Sequence, residues 1–211
     1  MTLRLNGSTS GYTEIDAPAV AGNNNLKLPT GNGSNGNILG TDGAGNLSWV
    51  NGRMVLETAK ASTSGTVVDF TGIPSWVKRV TVMFNGVSVS GTANILVQIG
   101  SGSVSTSGYA SNGAYSGATN QAGAVTSTAG FVVFGGTASN VATGTLSICL
   151  LTATTYISSH VTAMTQGASL YSLHGGGTSP SLSGTLDRVR ITTVNGTDTF
   201  DAGSINILYE G

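Results

Sequence analysis

His160, His174, Cys149 and the C-terminal aspartates Asp187, Asp198 and Asp201 are the side chains through which acid–base, nucleophilic or metal chemistry would run in this chain. The two histidines lie on different apolar runs, with no carboxylate beside either one in sequence. Neither stands at a metal-ligand spacing from the other or from the cysteine. No G-x-S-x-G nucleophile elbow and no phosphate-binding loop occurs. Asp198 and Asp201 could flank a sugar bond as a glycosidase pair, or hold Ca2+ together with carbonyl oxygens. Residues 197–203 read better as a turn whose carboxylates accept from nearby backbone amides. Catalysis, a metal ion and a cofactor are therefore not expected.

Binding chemistry is better supplied. Sugars are gripped by aromatic faces together with hydroxyl and amide groups, and the tyrosines here stand among Ser, Thr and Asn. Tyr109, Tyr115 and Tyr171 are the candidate receptor contacts. Tyr156 and Trp76 offer the same chemistry, although most aromatic side chains of a β protein belong to its core. Trp76, two positions after Pro74, also reads as an anchor where a strand begins. Cys149, inside the apolar run 146–151, reads as a small buried hydrophobe.

Charge narrows the partners. Only 8% of the 211 residues are charged and the formal net charge is −1. The eight basic residues are scattered from Arg4 to Arg190, so nothing forms the patch that displaces counterions from nucleic acid. No apolar run approaches the ~20 residues of a spanning helix, so membrane insertion is not expected. The N-terminus lacks a charged n-region leading into an apolar h-region, and no secretory signal is expected.

The elements that would position these residues are β-strands. Gly, Ser, Thr, Asn and Val dominate while strong helix formers are scarce. Period-two alternation recurs in the runs 54–61, 66–70, 77–85, 94–100, 131–134, 145–151, 156–164, 169–174, 186–193 and 204–209. Asn85-Gly86 and Asn195-Gly196 are turn signals. The segments 102–129 and 175–184 are rich in Ser and Gly and read as long loops. A change of texture at Asn51-Gly52-Arg53 divides the chain into residues 1–52 and 53–211. The expected fold is all-β, a short N-terminal β-arm followed by a jelly-roll-like antiparallel β-sandwich.

The arm is the odd part. Its apolar residues are few and spread out, and the predicted hairpin joining Ile38-Leu39 to residues 47–50 is too short to stand alone. Either the arm is flexible, or its strands are completed by partner subunits. The string LPTGNGSNGNILGTDGAGNLSWV, residues 28–50, resembles a module common in bacteriophage tail fibres and other phage appendages, in which three chains cover one another's apolar edges. That resemblance favours partner subunits and implies that Leu28, Ile38, Leu39, Leu47 and Trp49 are the candidate trimer and attachment contacts. Residues 186–210, ending FDAGSINILYE, are similar to the closing strands of a widespread phage structural domain. Residues 68–74 and 77–80 are similar to that domain's opening, while the middle, about 100–165, carries no such likeness.

The resemblance implies a homotrimeric virion protein, assembled in the host cytoplasm. The arm would join it to other virion proteins of the tail, baseplate or capsid, and the β domain would meet host surface polysaccharide or another receptor. A tail fibre or receptor-binding protein is the leading expectation. A capsid decoration protein or head fibre is the alternative, and a polysaccharide-depolymerising tailspike is a distant third.

Overall fold

The computed structural model describes residues 3–20, 22–34, 36–52, 54–117, 121–133 and 135–211. Among them there are eighteen strands and no helix, and hence none long and apolar enough to cross a membrane. The chain forms two compact units, residues 1–52 and 53–211. Arg53 and Phe134, named above at the boundary and at the end of a strand run, lie outside the described residues.

The first unit holds two separate ribbons. Strands β1 (Leu3–Asn6) and β2 (Tyr12–Ile15) pair antiparallel, with Arg4 opposite Glu14. The Arg4 guanidinium lies 4.0 Å from the centre of the Tyr12 ring and Nε donates to Glu14 at 2.7 Å. Strands β3 (Asn37–Thr41) and β4 (Leu47–Asn51) form the second ribbon. Its tip is tied by Asp42, whose carboxylate accepts from the Ala44 and Asn46 amides and from Asn46 Nδ2 at 2.7–3.1 Å. Those hydrogen bonds hold the Asp42 carboxyl below its ordinary pKa. Gly43 and Gly45 supply the positive φ that the turn needs. The short run around Lys27 makes one parallel bridge to Asn46 rather than a strand.

No described residue of this unit is buried. Leu28 is 71% and Ile38 48% exposed, Leu39 and Trp49 are also exposed, and Leu47 is half-buried. Trp49 rests against Gly33 and donates its indole N–H to the Gly31 carbonyl at 2.5 Å.

The second unit contains β5 (Met54–Leu56), β6 (Lys60–Ala61), β7 (Val68–Thr71), β8 (Arg79–Val89), β9 (Ile95–Ser101), β10 (Ser103–Val104), β11 (Ala110–Gly117), β12 (Ala122–Ser127), β13 (Phe131–Val133), β14 (Asn140–Thr152), β15 (Thr155–Gln166), β16 (Ser169–Thr178), β17 (Arg188–Thr193) and β18 (Phe200–Glu210). A nine-stranded antiparallel sheet runs β12-β11-β16-β15-β14-β8-β18-β5, with β6 also on β18. A five-stranded antiparallel sheet runs β10-β9-β17-β7, with β13 also on β9. One apolar cluster joins the two layers. Val80, Val82, Leu146, Ile148, Ile205 and Ile207 come from the large sheet, and Phe70, Val97, Ile99, Phe131 and Ile191 from the small one.

Three expectations are corrected. Asn85-Gly86 is not a turn, because β8 runs straight through it. Gly86 takes a positive φ inside the strand and the register shifts against both neighbours, so the signal marks a bulge. The segment 102–129 is not a loop, since it carries β10 and the β11–β12 hairpin. Residues 175–178 are not a loop either, because they complete β16.

Where β11 and the end of β16 meet, small residues let the neighbouring backbones approach closely. A Cβ on Gly175 would strike the Asn112 carbonyl oxygen and come 2.9 Å from Gly113 Cα on β11. One on Gly176 would lie 2.6 Å from the Ser158 carbonyl on β15. Gly175→Ala is expected to lower unfolding free energy by about 1–3 kcal/mol through this overpacking. Gly31→Ala, where a Cβ meets open space, should leave the urea midpoint unchanged. Equal midpoints for the two variants would show that the strands can simply move apart.

Candidate functional site

Tyr115 on β11 and Tyr171 on β16 point to the same side of the large sheet, toward the inter-sheet space, because Tyr115 pairs with Leu173 and Gly117 with Tyr171 across the two strands. Their rings meet edge to face, with centroids 5.8 Å apart at 85°. Each ring lies over a glycine of the adjoining strand. A Cβ on Gly123 would strike the Tyr115 ring, and one on Gly117 would come within 2.7 Å of the Tyr171 ring. Glycine on one strand thus makes the bed for an aromatic on the next. The Tyr171 hydroxyl then donates to Gln121 Oε1 at 2.6 Å, fixing the start of the β12 limb.

The facing wall comes from the far end of β15 and from the chain leading into β14. Thr137 Oγ1 donates to Asn140 Oδ1 at 2.9 Å and accepts from Gln166 Nε2 at 3.4 Å. Asn140 is buried; its Nδ2 donates to the Gly135 carbonyl and lies 3.2 Å from the Met164 sulfur. Between these walls lies an open cleft of about 460 Å3, within the usual range of small-ligand sites. Its surface is aromatic, amide, hydroxyl and thioether, and among the described residues no ionic side chain lines it. Residues 118–120, between β11 and β12, lie outside the described residues.

Two of the three tyrosines singled out from the sequence therefore come together, and the third does not. Tyr109 is a core residue, 2% exposed, and its ring makes a T-shaped contact with Phe131, centroids 5.1 Å apart. Its hydroxyl accepts from the Ile99 amide at 2.9 Å, and burial pushes its pKa up to about 12. A side chain so enclosed cannot touch a receptor. Tyr156 is likewise buried, with its hydroxyl accepting from the Leu186 amide. Trp76 packs against Tyr209 at a centroid distance of 5.8 Å.

The acid–base candidates are dispersed. Asp198 accepts from Asn195 Nδ2 at 2.8 Å and from the Ala93 amide at 2.9 Å, and these bonds hold its carboxyl below the ordinary carboxylate value. Asp201 accepts instead from the Ser88 hydroxyl, and Asp187 pairs with Arg188 at 2.7 Å. His160 is buried on β15, whereas His174 on β16 is exposed. His174 pairs with Val161 rather than with His160, which places the two histidines on opposite faces of the sheet. Cys149 is half-buried rather than buried, since its neighbours Leu146 and Ile148 take the core positions of β14. Among the described residues no group of three His, Cys, Asp or Glu side chains could hold a metal ion.

Gln121, Thr137, Asn140 and Gln166 were not anticipated as site residues. One signal for them was in the sequence, because no Asp, Glu, Lys or Arg occurs between Arg79 and Asp187. The whole cleft belongs to that span. The ionic pairs of the second unit, Arg79–Glu210, Arg190–Asp69 and Arg188–Asp187, are all made by residues outside it. The chain matches no protein-family model, no curated protein and no solved structure.

Proposed function

We propose that this chain is a non-enzymatic bacteriophage virion protein, a homotrimeric tail fibre or receptor-binding protein. Residues 1–52 attach it to the particle and trimerise it. Residues 53–211, a jelly-roll-like sandwich, meet the host cell surface. The observation that carries the reading is the absence of any buried residue among the described residues of the first unit. Isolated two-stranded ribbons are marginal in water, and apolar side chains such as Leu28, Ile38 and Leu39 stay exposed in a single chain. Sister subunits supply the missing cover. Each subunit's contact with a cell surface can then be weak, because three linked sites, and many trimers, bind with far greater avidity than one.

Light scattering on the full chain and on residues 53–211 tests the assembly. The full chain is expected at three times the single-chain mass, and the truncated protein, still rich in β-structure by circular dichroism, at one. A compact single-chain species of the full protein at micromolar concentration, with the arm protected from proteolysis, would overturn the reading. A truncated protein that stays trimeric would transfer assembly to the sandwich. Gold-labelled antibody on intact particles is expected at the tail, and label on the head would make this a decoration protein or head fibre.

A further inference from the structure

We infer that the Tyr115–Tyr171 cleft binds an uncharged saccharide, specifically a hexopyranose segment of a neutral surface glycan. The inference deepens the receptor-binding reading and rests on it. Three observations point the same way. The cleft is open and of ligand size, about 460 Å3, so it can admit a few residues of a polymer without requiring a chain end. Its walls pair an apolar surface, the two tyrosine rings and Met164, with amide and hydroxyl groups at Gln121, Thr137 and Gln166. That mixture matches a pyranose, which presents C–H bonds on one face and hydroxyls around its rim.

The third observation fixes the charge class. No Asp, Glu, Lys or Arg occurs anywhere from Val80 to Leu186, the span that supplies every wall of the cleft. The two histidines of that span do not line it. A uronic or sialic acid carboxylate, or a phosphate, entering the cleft would give up water with no cation to replace it, which is unfavourable. A cationic sugar would find no carboxylate. A neutral sugar loses only hydroxyl hydration, which amides and hydroxyls restore.

The test uses the full chain on an array of immobilised neutral and acidic oligosaccharides, read at low salt and again in 0.5 M NaCl, about the ionic strength at which the Debye length falls well below 10 Å. Neutral hexose oligosaccharides are expected to give signal that salt leaves unchanged. Tyr171→Ala and Gln166→Ala are each expected to reduce it about tenfold, a difference of ~1.4 kcal/mol, with thermal midpoints measured alongside. Gln166 sits at the end of β15, so its truncation keeps the test alive if the tyrosine variant unfolds. An array with no neutral signal, a preference for acidic glycans, or neutral binding that survives Gln166→Ala would each overturn the assignment. The trimer mass is a separate readout, so loss of the cleft assignment leaves the appendage reading standing, and a single-chain mass would sink that reading whatever the array shows.

Discussion

Phe131→Ala is expected to lower the unfolding free energy by about 3–5 kcal/mol, a large part of the ~5–15 kcal/mol that separates most folded domains from their unfolded chains. Phe131 is 1% exposed on β13, the short strand that adds to β9 through the pairing of Phe131 with Val97. Its ring also meets that of buried Tyr109 in a T-shaped contact, with centroids 5.1 Å apart. Truncation therefore leaves a cavity and strips Tyr109 of its aromatic partner, while the Tyr109 hydroxyl stays tied to Ile99 and cannot follow. Collapse around the gap would be poor, which places the effect toward the upper end. Urea unfolding followed by tryptophan fluorescence measures it. Leu170→Ala, at a side chain 69% exposed on β16, should stay within about 0.5 kcal/mol of the parent. Similar losses for the two variants would mean that β13 is not part of the cooperative core.

Acid is the second lever. His160 is buried, its Nε2 has no hydrogen-bond partner among the described residues, and its ring fills the space left by Gly175. Among those residues no carboxylate is paired with the ring, so nothing offsets the cost of charging it in this buried position. Burial, and secondarily the charge of His174, push the His160 pKa down from the ordinary 6.5 to about 4. The unfolded chain therefore takes up a proton between those values that the folded chain refuses. Stability from this group is complete above pH 6.5, falls as the pH drops toward 4, and changes no further below that. The full loss is about 3 kcal/mol. Unfolding midpoints of the parent and of His160→Gln between pH 7 and 4.5 isolate it from the carboxylates, which titrate alike in both. The parent should lose stability faster over that window, and parallel curves would show that His160 gains its proton without opening the sheet.

Sequence patterning revealed the strands whose inward positions carry large side chains. Val80, Val82 and Phe84, then Ile205, Ile207 and Tyr209, alternate visibly, and β8 and β18 pair through those residues in the structure. β11 and the end of β16 were invisible for a physical reason. Apart from Tyr115, the inward positions of β11 and of the end of β16 are Ser111, Gly113, Gly117, Gly175 and Gly177, set by how closely neighbouring backbones approach, and small residues carry no hydrophobic period. The Asn85-Gly86 signal is ambiguous because a bulge and a turn both accommodate positive φ, and only the pairing partners tell them apart. The cleft was half legible for the same reasons. Its tyrosines stand out in any reading, whereas Gln121 comes to Tyr171 from fifty positions away through a hairpin that the sequence hid. Tyr109 and Tyr115 look alike on paper, six residues apart. One is in the core and the other borders the cleft because Tyr109 precedes β11 and turns under β13, while Tyr115 lies within the strand.

The uncharged span from Val80 to Leu186 also bears on how the protein would be degraded. Trypsin-like peptidases need a lysine or arginine at the scissile bond, and acid-directed ones need a glutamate or aspartate. Neither kind has a bond to cut between Arg79 and Asp187. Even after losing its structure, that length of chain would leave such a digest as a single long fragment, carrying both tyrosines of the cleft with it.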